Sequence, residues 1–261
     1  MMKGVFLAKK KSGVPYYRAS FTYKSRHISL GSFADEVSAN KAYHEAMALI
    51  TDTVCLSDYL LVSHSFLPFE KGISIINFRD HGVYFRNPIY LQNKFFYYYL
   101  DPDTVYTFDI DDLFYYAEHK ISKRNGHLFV ADYGMQVNIL SRYGIMSHAV
   151  AGRDYKFING NPYDFRYENI EIINHYFGVT RVETKNTTKY RARILIHGLY
   201  TIGEYDTEEE AAIAYNKAAD LLQKKLPNRT FRQNYIENLS PSQYAGIYTA
   251  VKIAKKITDY K

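Results

Sequence analysis

The chain has 261 residues, a formal net charge of +6 and one cysteine, Cys55. A single cysteine excludes an intramolecular disulfide and a cysteine-cluster zinc site. Residues 1–13 lack the apolar run of a signal peptide, and the longest apolar run, residues 95–100, is too short to span a membrane. We therefore expect a cytoplasmic or nucleoid-associated protein of two or three small domains, whose basic charge is compatible with a nucleic-acid partner.

One sequence pattern occurs at both ends of the chain, in residues 4–50 and again in residues 178–222. The matching positions are Gly4-Val5 with Gly178-Val179, Tyr17-Arg18-Ala19 with Tyr190-Arg191-Ala192, Gly31 with Gly203, Phe33 with Tyr205, Ala39 with Ala211, Ala42-Tyr43 with Ala214-Tyr215, and Ala46 with Ala218. Each copy begins with three alternating strands and ends with an alanine stripe at helical spacing. The sequence predicts an α+β fold in which residues 1–51 and 177–235 each form a three-stranded antiparallel sheet with one helix.

The outward faces of these two sheets carry basic side chains. In the second copy Tyr190, Ala192 and Ile194 share the helix side of the middle strand, so the intervening arginines point away from the helix. Such a sheet can enter the DNA major groove, and the alternative is a solvated basic face. The candidate DNA-binding residues are Lys9, Lys10, Lys11, Arg18, Ser20, Lys24 and Arg26 in the first copy and Arg181, Lys189, Arg191 and Arg193 in the second.

Both copies resemble the Apetala-type (ethylene-response-factor) DNA-binding domain. The second copy carries Gly178-Val179, Ala192-Arg193-Ile194, Ile202-Gly203-Glu204-Tyr205 and EEAAIAY at residues 209–215, and the first carries the looser LGSF at 30–33 and ANKAY at 39–43. In that family Arg and Trp side chains of the sheet read the major groove. Here the third-strand Trp position falls on Ser29 or Thr201, and the first-strand Arg position falls on Phe6 or Thr180. The resemblance implies major-groove docking on double-stranded DNA without the base preference of the plant proteins.

Residues 52–125 are rich in aromatic side chains and predict a folded middle region of several short strands, with a helical turn near residues 111–118. Asp109, Asp111 and Asp112 suggest a metal site, but the spacing and glycine of an EF-hand are missing. The adjacent aspartates fit a helix start equally well. We expect neither a metal nor a cofactor.

Residues 126–176 resemble the HNH region of homing-type nucleases, a ββα element. The segment FINGNPYDFRYEN, residues 157–169, falls on the family's glycine-containing turn. In that family an Asp before the turn binds a divalent metal, the adjacent His activates water, and an Asn follows the turn. Such enzymes often carry Apetala-type repeats beside the nuclease module, which supports the assignment.

The resemblance places Lys156 at the metal-ligand Asp and Phe157 at the general-base His. Asp164 falls in the turn, and Asn169 falls on the family's Asn after it. His148 matches a structural His of the family on the strand before the motif. A lysine ammonium repels a divalent ion and phenylalanine has no lone pair, so we expect a degenerate element without catalysis.

The sequence therefore predicts a sequence-specific double-stranded DNA-binding protein, a nuclease-dead relative of homing endonucleases. The expected role is a transcriptional regulator or an accessory protein of a mobile genetic element or phage. Two alternatives stay open: an active metal-dependent HNH endonuclease with displaced residues, such as Asp154 and His148, and an inhibitor of a nucleic-acid-binding system that acts by protein contact.

Residues 236–261 predict one C-terminal amphipathic helix. Its apolar side is formed by Tyr244, Ile247, Val251, Ala254 and Ile257. Such a helix packs on its own domain, forms a homodimer contact or provides a phosphate-contacting arm, and packing is the preferred interpretation.

Overall fold

The computed structural model describes residues 1–51, 54–62, 66–146 and 149–260. The chain is a mixed α/β protein built from several small antiparallel sheets and helices. It divides into two compact units, residues 1–139 with 161–169 and residues 140–160 with 170–261. Among the described helices, none has both the length and the hydropathy needed to cross a membrane.

The first unit begins with the first copy of the repeat. Its elements are β1 (Val5–Lys9), β2 (Pro15–Tyr23), β3 (Arg26–Phe33) and α1 (Glu36–Thr51), with the antiparallel strand order β1-β2-β3. Ala39, Ala42 and Ala46 are fully buried where α1 packs on the sheet. Small side chains let the helix backbone approach the strands closely, and the predicted sheet-and-helix domain is confirmed.

The middle of the chain adds two more three-stranded sheets to the first unit. The elements are α2 (Leu56–Leu61), α3 (Phe69–His81), β4 (Ile89–Leu91), β5 (Phe95–Asp101), β6 (Thr104–Asp109), α4 (Leu113–Glu118), β7 (Ile121–Arg124), β8 (His127–Asp132) and β9 (Met135–Asn138). The strand orders are β4-β5-β6 and β7-β8-β9. Helix α4 confirms the predicted helical turn, and the region is a folded core.

Helix α3 is a helix that the sequence does not predict, since short strands and one helical turn near residues 111–118 are expected for this region. Its residues Gly72 to Phe78 are all buried, so the sequence carries no polar face with a helical period. The β-branched Ile73, Ile75 and Ile76 favour a strand by local preference. Packing on several sides overrides that preference, and Gly82 ends the helix in the left-handed conformation with φ of 73°.

The segment from residue 161 to 169 returns to the first unit and extends its aromatic core. The Thr107 N–H donates to the Tyr163 carbonyl at 2.9 Å, and the Phe165 N–H donates to the Thr107 carbonyl at 2.8 Å. The Phe165 ring stacks on Phe108 with 5.5 Å between centroids. The segment singled out as a nuclease turn therefore packs against β6.

The second unit contains a short hairpin, the second repeat and the C-terminal segment. Its elements are β10 (Tyr155–Phe157), β11 (Ile170–Ile172), β12 (Val179–Glu183), β13 (Thr188–Leu195), β14 (Leu199–Tyr205), α5 (Glu208–Lys225), α6 (Pro241–Ala250) and α7 (Lys255–Thr258). β10 pairs with β11, and the other sheet has the order β12-β13-β14. Residues 173–178, which follow the hairpin, form no helix, and the nuclease-like ββα element stays a prediction.

The two repeats share register as well as sequence. Ala19 pairs with Gly31 and Ala192 pairs with Gly203, and in both sheets the register shifts immediately after that alanine. The glycine that precedes each first strand, at position 4 or 178, has a φ of +74°. Both glycines touch the helix tyrosine of their own repeat, where an added Cβ would lie 2.0 Å from a Tyr43 ring atom or 2.5 Å from a Tyr215 ring atom. The repeat is therefore structural.

The C-terminal segment forms two helices, and the prediction of one continuous helix is wrong. Residues 251–254 between them are not helical. The Ala254 N–H donates to the Ile202 carbonyl at 2.8 Å, and the Lys217 ammonium donates to the Val251 carbonyl at 2.8 Å. These partners satisfy backbone groups that a continuous helix would bond internally, which stabilises the break. The segment packs on its own unit, as preferred from the sequence.

Candidate nucleic-acid interface

The side of the first sheet that faces away from α1 is called the first outer face. Val5, Ala19 and Phe21 are buried against the helix, so the alternate side chains point the other way. The first outer face consists of Phe6, Ala8, Tyr16, Arg18, Ser20, Thr22, His27, Ser29 and Ser32. None of these residues is acidic. Three strands about 4.8 Å apart present a row about 10 Å wide, which fits a major groove of about 12 Å.

Arg18 lies at the centre of the first outer face, on the middle strand. It is opposite Phe6 on one neighbouring strand and opposite Ser32 on the other. Arg18 is exposed, and it forms no salt bridge with any carboxylate in the described part of the chain. Its guanidinium is therefore available to a phosphate or to a base edge.

Three exposed lysines lie at one end of the same sheet. Lys9 ends β1, and Lys10 and Lys11 follow it in the turn to β2, where a shallow groove also includes Tyr16 and Phe33. Over residues 1–51, 54–62, 66–146 and 149–260, none of the three forms a salt bridge. With Arg18 they add to the positive charge of this sheet, and their part in DNA binding stays a prediction.

Three other candidates of the first repeat are less available. Ser20 is on the outer face by register but is buried, with 8% of its surface exposed. The Lys24 ammonium donates to the Arg79 carbonyl at 3.2 Å. The Arg26 guanidinium stacks over Tyr84 at 4.8 Å from the ring centroid. Lys24 and Arg26 therefore pack on the middle region of the first unit.

The corresponding surface of the second sheet is called the second outer face, and its cations have acidic partners. The Arg191 guanidinium forms a salt bridge with Glu204 at 2.7 Å, and Lys189 pairs with Asp206. Arg193 donates to the Thr180 hydroxyl at 3.4 Å. These cations are half-buried or paired, which reduces the positive potential that the face offers to phosphates.

The two outer faces differ in one equivalent row. The row Phe6–Arg18–Ser32 of the first repeat corresponds to Thr180–Arg191–Glu204 of the second. A serine leaves the arginine of the first row without a charge partner, whereas a glutamate neutralises the arginine of the second. Glu204 is the residue of this row that the sequence reasoning missed, although its alignment with Ser32 is a signal that could have found it.

Arg181, which the sequence places among the candidate DNA-binding residues, does not lie on the second outer face. It lies opposite Tyr190 and two positions from buried Val179, so it shares the helix side of the sheet. Its guanidinium pairs with Glu183 at 2.8 Å. The strand β12 begins at Val179, and this register sets Thr180 and Val182 on the outer face.

The nuclease-like positions are held by other contacts. Lys156 and Glu171 lie opposite each other on β10 and β11 and form a salt bridge at 3.1 Å. Asp164 is buried and accepts from Arg166 at 2.7 Å, while the Asn169 amide donates to the Asp164 carbonyl at 2.8 Å. Phe157 is partly buried. His148 lies outside the described residues.

Asp164 and Asn169 belong to the first unit, whereas Lys156 and Phe157 belong to the second. Through their mutual hydrogen bond and the Arg166 ion pair, Asp164 and Asn169 support the turn in which they lie. The Lys156 ammonium is a cation, and a cation repels a divalent metal ion.

Asp154, the residue considered as a displaced ligand, is buried within the second unit. Burial raises the pKa of its carboxyl, but hydrogen bonds from Arg153, the Val150 N–H and Asn174 outweigh this and hold the pKa below its ordinary value. The Arg153 and Asn174 contacts measure 2.6 Å and 2.8 Å. Both carboxylate oxygens of Asp154 therefore have partners within the protein, and the residue has a structural role.

The acidic residues of the middle region also have contacts of their own. Asp109 accepts from the Tyr167 N–H at 2.6 Å, and Asp112 is buried at the start of α4. In the part of the chain that the structure describes, no three His, Cys, Asp or Glu side chains lie together in a way that could hold a metal ion.

No family model matches this chain, and no curated protein or solved structure is significantly similar to it.

Proposed function

We propose that the protein binds double-stranded DNA through the first outer face, without cleaving it. The single observation that carries this proposal is Arg18, which is exposed at the centre of an acid-free sheet face and has no carboxylate partner in the described chain. Lys9, Lys10 and Lys11 continue the positive charge beyond the sheet. Neutralisation of phosphates by such cations releases counterions and drives association.

The shape of the first outer face supports docking in the major groove. A flat row of three strands about 10 Å wide enters a groove of about 12 Å, and its central side chains then face base edges. The lysines of the β1–β2 turn lie at the end of the sheet, where they reach the phosphates that border the groove. Phosphates thus position the domain, and the sheet is the surface for sequence recognition.

The second repeat has the same backbone and a weaker charge. Glu204 and Asp206 neutralise two of its cations, so we assign it an auxiliary contact. Two linked domains gain affinity because the second contact becomes intramolecular once the first has formed.

The absence of cleavage follows from the residues at the nuclease-like positions. Lys156 is paired with Glu171, and Phe157 offers no proton acceptor. We propose a nuclease-dead relative of homing endonucleases that serves as a transcriptional regulator or as an accessory protein of a mobile element or phage, on the basis of the sequence resemblance alone.

Fluorescence anisotropy with a labelled duplex of random sequence tests the proposal. Arg18→Ala and the triple change of Lys9, Lys10 and Lys11 to Ala are each expected to weaken binding, by about tenfold or more for the triple variant at low salt. Arg181→Ala is the matched control, because it removes one arginine from the helix side of the other sheet. An equal loss of DNA affinity in Arg181→Ala and in Arg18→Ala would contradict the assignment of DNA binding to the first outer face.

A further inference from the structure

Phe6 lies in the middle of the first outer face with 53% of its surface exposed. It is directly opposite Arg18 in the register of β1 and β2. No helix covers this face within the first repeat, since α1 packs on the other side. The phenylalanine is therefore an apolar group at the position where the sheet would approach base edges.

We propose that Phe6 is a base-reading residue that contacts the 5-methyl group of a pyrimidine in the major groove, an inference that rests on the proposed function. The groove edge of thymine presents a methyl group beside an acceptor, and apolar side chains recognise that methyl by contact. A ring on a rigid strand makes such a contact with little loss of side-chain entropy. Water displaced from the ring and from the methyl adds favourable free energy.

The neighbouring arginine restricts where this pyrimidine lies. Side chains directly opposite on antiparallel strands have Cβ atoms about 5 Å apart, and successive base pairs are about 3.4 Å apart along the duplex. Phe6 and Arg18 therefore reach base pairs that are one or two steps apart. Arg18 has the donors to contact guanine O6 and N7, so the preferred site contains a guanine within two steps of the methylated pyrimidine.

The second repeat supplies the substitution that tests this proposal. In the second repeat Thr180 occupies the position of Phe6 and lies opposite Arg191. Threonine is therefore compatible with this strand position of the repeat. Phe6→Thr shortens the side chain and leaves the strand intact. Leu7→Thr is the matched control, because Leu7 is 51% exposed on the same strand and its side chain points to the opposite face.

Duplexes recovered by the wild-type protein from a random-sequence pool are resynthesised with deoxyuridine at each thymine in turn. Loss of one methyl is expected to weaken wild-type binding about fourfold at one position, the effect of exposing a single methyl group. Phe6→Thr should narrow the difference in affinity between the thymine and deoxyuridine duplexes, because threonine carries one methyl on a shorter side chain. Leu7→Thr should keep the full difference. Cytosine and 5-methylcytosine at the same position form a second arm, which identifies the base if the methyl belongs to a modified cytosine.

Equal binding of methylated and unmethylated duplexes by the wild type would overturn this inference and leave DNA binding intact. Retention of the full methyl preference in Phe6→Thr would also overturn it. Failure to bind any duplex would overturn the proposed function as well, so the two failures are distinguishable. Thermal unfolding of both variants shows whether a loss of binding reflects a loss of folding.

Discussion

Glu204 holds Arg191 in a salt bridge across β13 and β14, with 2.7 Å between Nη2 and Oε1. The equivalent residues of the first repeat are Ser32 and Arg18, where no such pair exists. The two sheets share a backbone register but differ in charge at the same place, where Arg18 has no acidic partner and Arg191 is paired. One domain of the pair is therefore suited to phosphates and base edges, and the other is largely neutralised.

Glu204→Ser should convert the second outer face to the pattern of the first. Removal of the carboxylate releases the Arg191 guanidinium, so DNA affinity should rise several-fold at low salt, and the slope of log affinity against log salt should steepen by about 1. Titrations at four salt concentrations measure both quantities.

The control for this change is Glu183→Ser. It removes the same charge, and Glu183 pairs with Arg181 on the helix side of the same sheet. An equal gain in both variants would mean that net charge alone, rather than the outer face, determines affinity.

Gly178→Ala should destabilise the second unit by about 2 kcal/mol or more. The residue has a φ of +74°, and an added Cβ would lie 2.5 Å from the Tyr215 ring and 2.6 Å from the Arg193 carbonyl oxygen. A left-handed conformation alone costs about 1–2 kcal/mol for alanine, and the contacts add to it. Urea unfolding measures the loss.

Gly246→Ala is the comparison for that experiment. Gly246 lies in α6, where a Cβ added to it would have nothing within 4 Å, so alanine should stabilise its helix by up to about 1 kcal/mol. If Gly178→Ala and Gly246→Ala destabilised the protein equally, the tight contact at Gly178 would not be the cause of the loss.

Asp154→Asn should lower stability by about 1–3 kcal/mol at neutral pH, since it removes a charged acceptor from Arg153 and Asn174. The pKa of Asp154 in the folded protein lies below its ordinary value of 3.8. Its contribution is thus fully present above that value and is lost as pH falls through the folded pKa. Urea titrations should show that the difference in unfolding free energy between wild type and variant narrows below about pH 4. A difference that stays constant with pH would be inconsistent with this linkage.

Lys225→Met should loosen the C-terminal segment. The Lys225 ammonium donates to the Thr258 and Tyr260 carbonyls, each at 2.6 Å. Loss of both bonds should weaken local anchoring by about 1 kcal/mol and speed limited proteolysis after residue 254. Lys224→Met, a change at the neighbouring exposed position, should leave the cleavage rate unchanged. An equal increase in the cleavage rate of Lys224→Met would indicate a general effect of charge.

The sequence predicts the repeat domains well because their alanine stripes and alternating strands are local signals. Ala42-Tyr43 and Ala214-Tyr215 identify the same helix in both copies, and the structure confirms each. The sequence does not predict α3, because its buried isoleucines carry no polar face. It also misses the break at residues 251–254, since the Ile202 carbonyl and the Lys217 ammonium that stabilise it are distant in the chain.

The candidate site is only partly predictable from the sequence, because it too depends on contacts between residues that are distant in the chain. Alternation along β2 and β13 correctly directs Arg18 and Arg191 outward. Which of these arginines is neutralised depends on the residue across the strand pair, Ser32 or Glu204, and therefore on register. The side of the sheet that Arg181 occupies likewise follows from where β12 begins.

We propose that this protein binds duplex DNA through the first outer face and leaves it uncut. The most direct test incubates the protein with a random-sequence duplex library in the presence of Mg²⁺ or Mn²⁺ and scores bound and cleaved DNA separately. We predict enrichment of bound sequences by the wild type, a marked loss of enrichment in Arg18→Ala, and no nicks in either sample. Metal-dependent nicking that chelator abolishes, or no enrichment at low salt, would contradict the account.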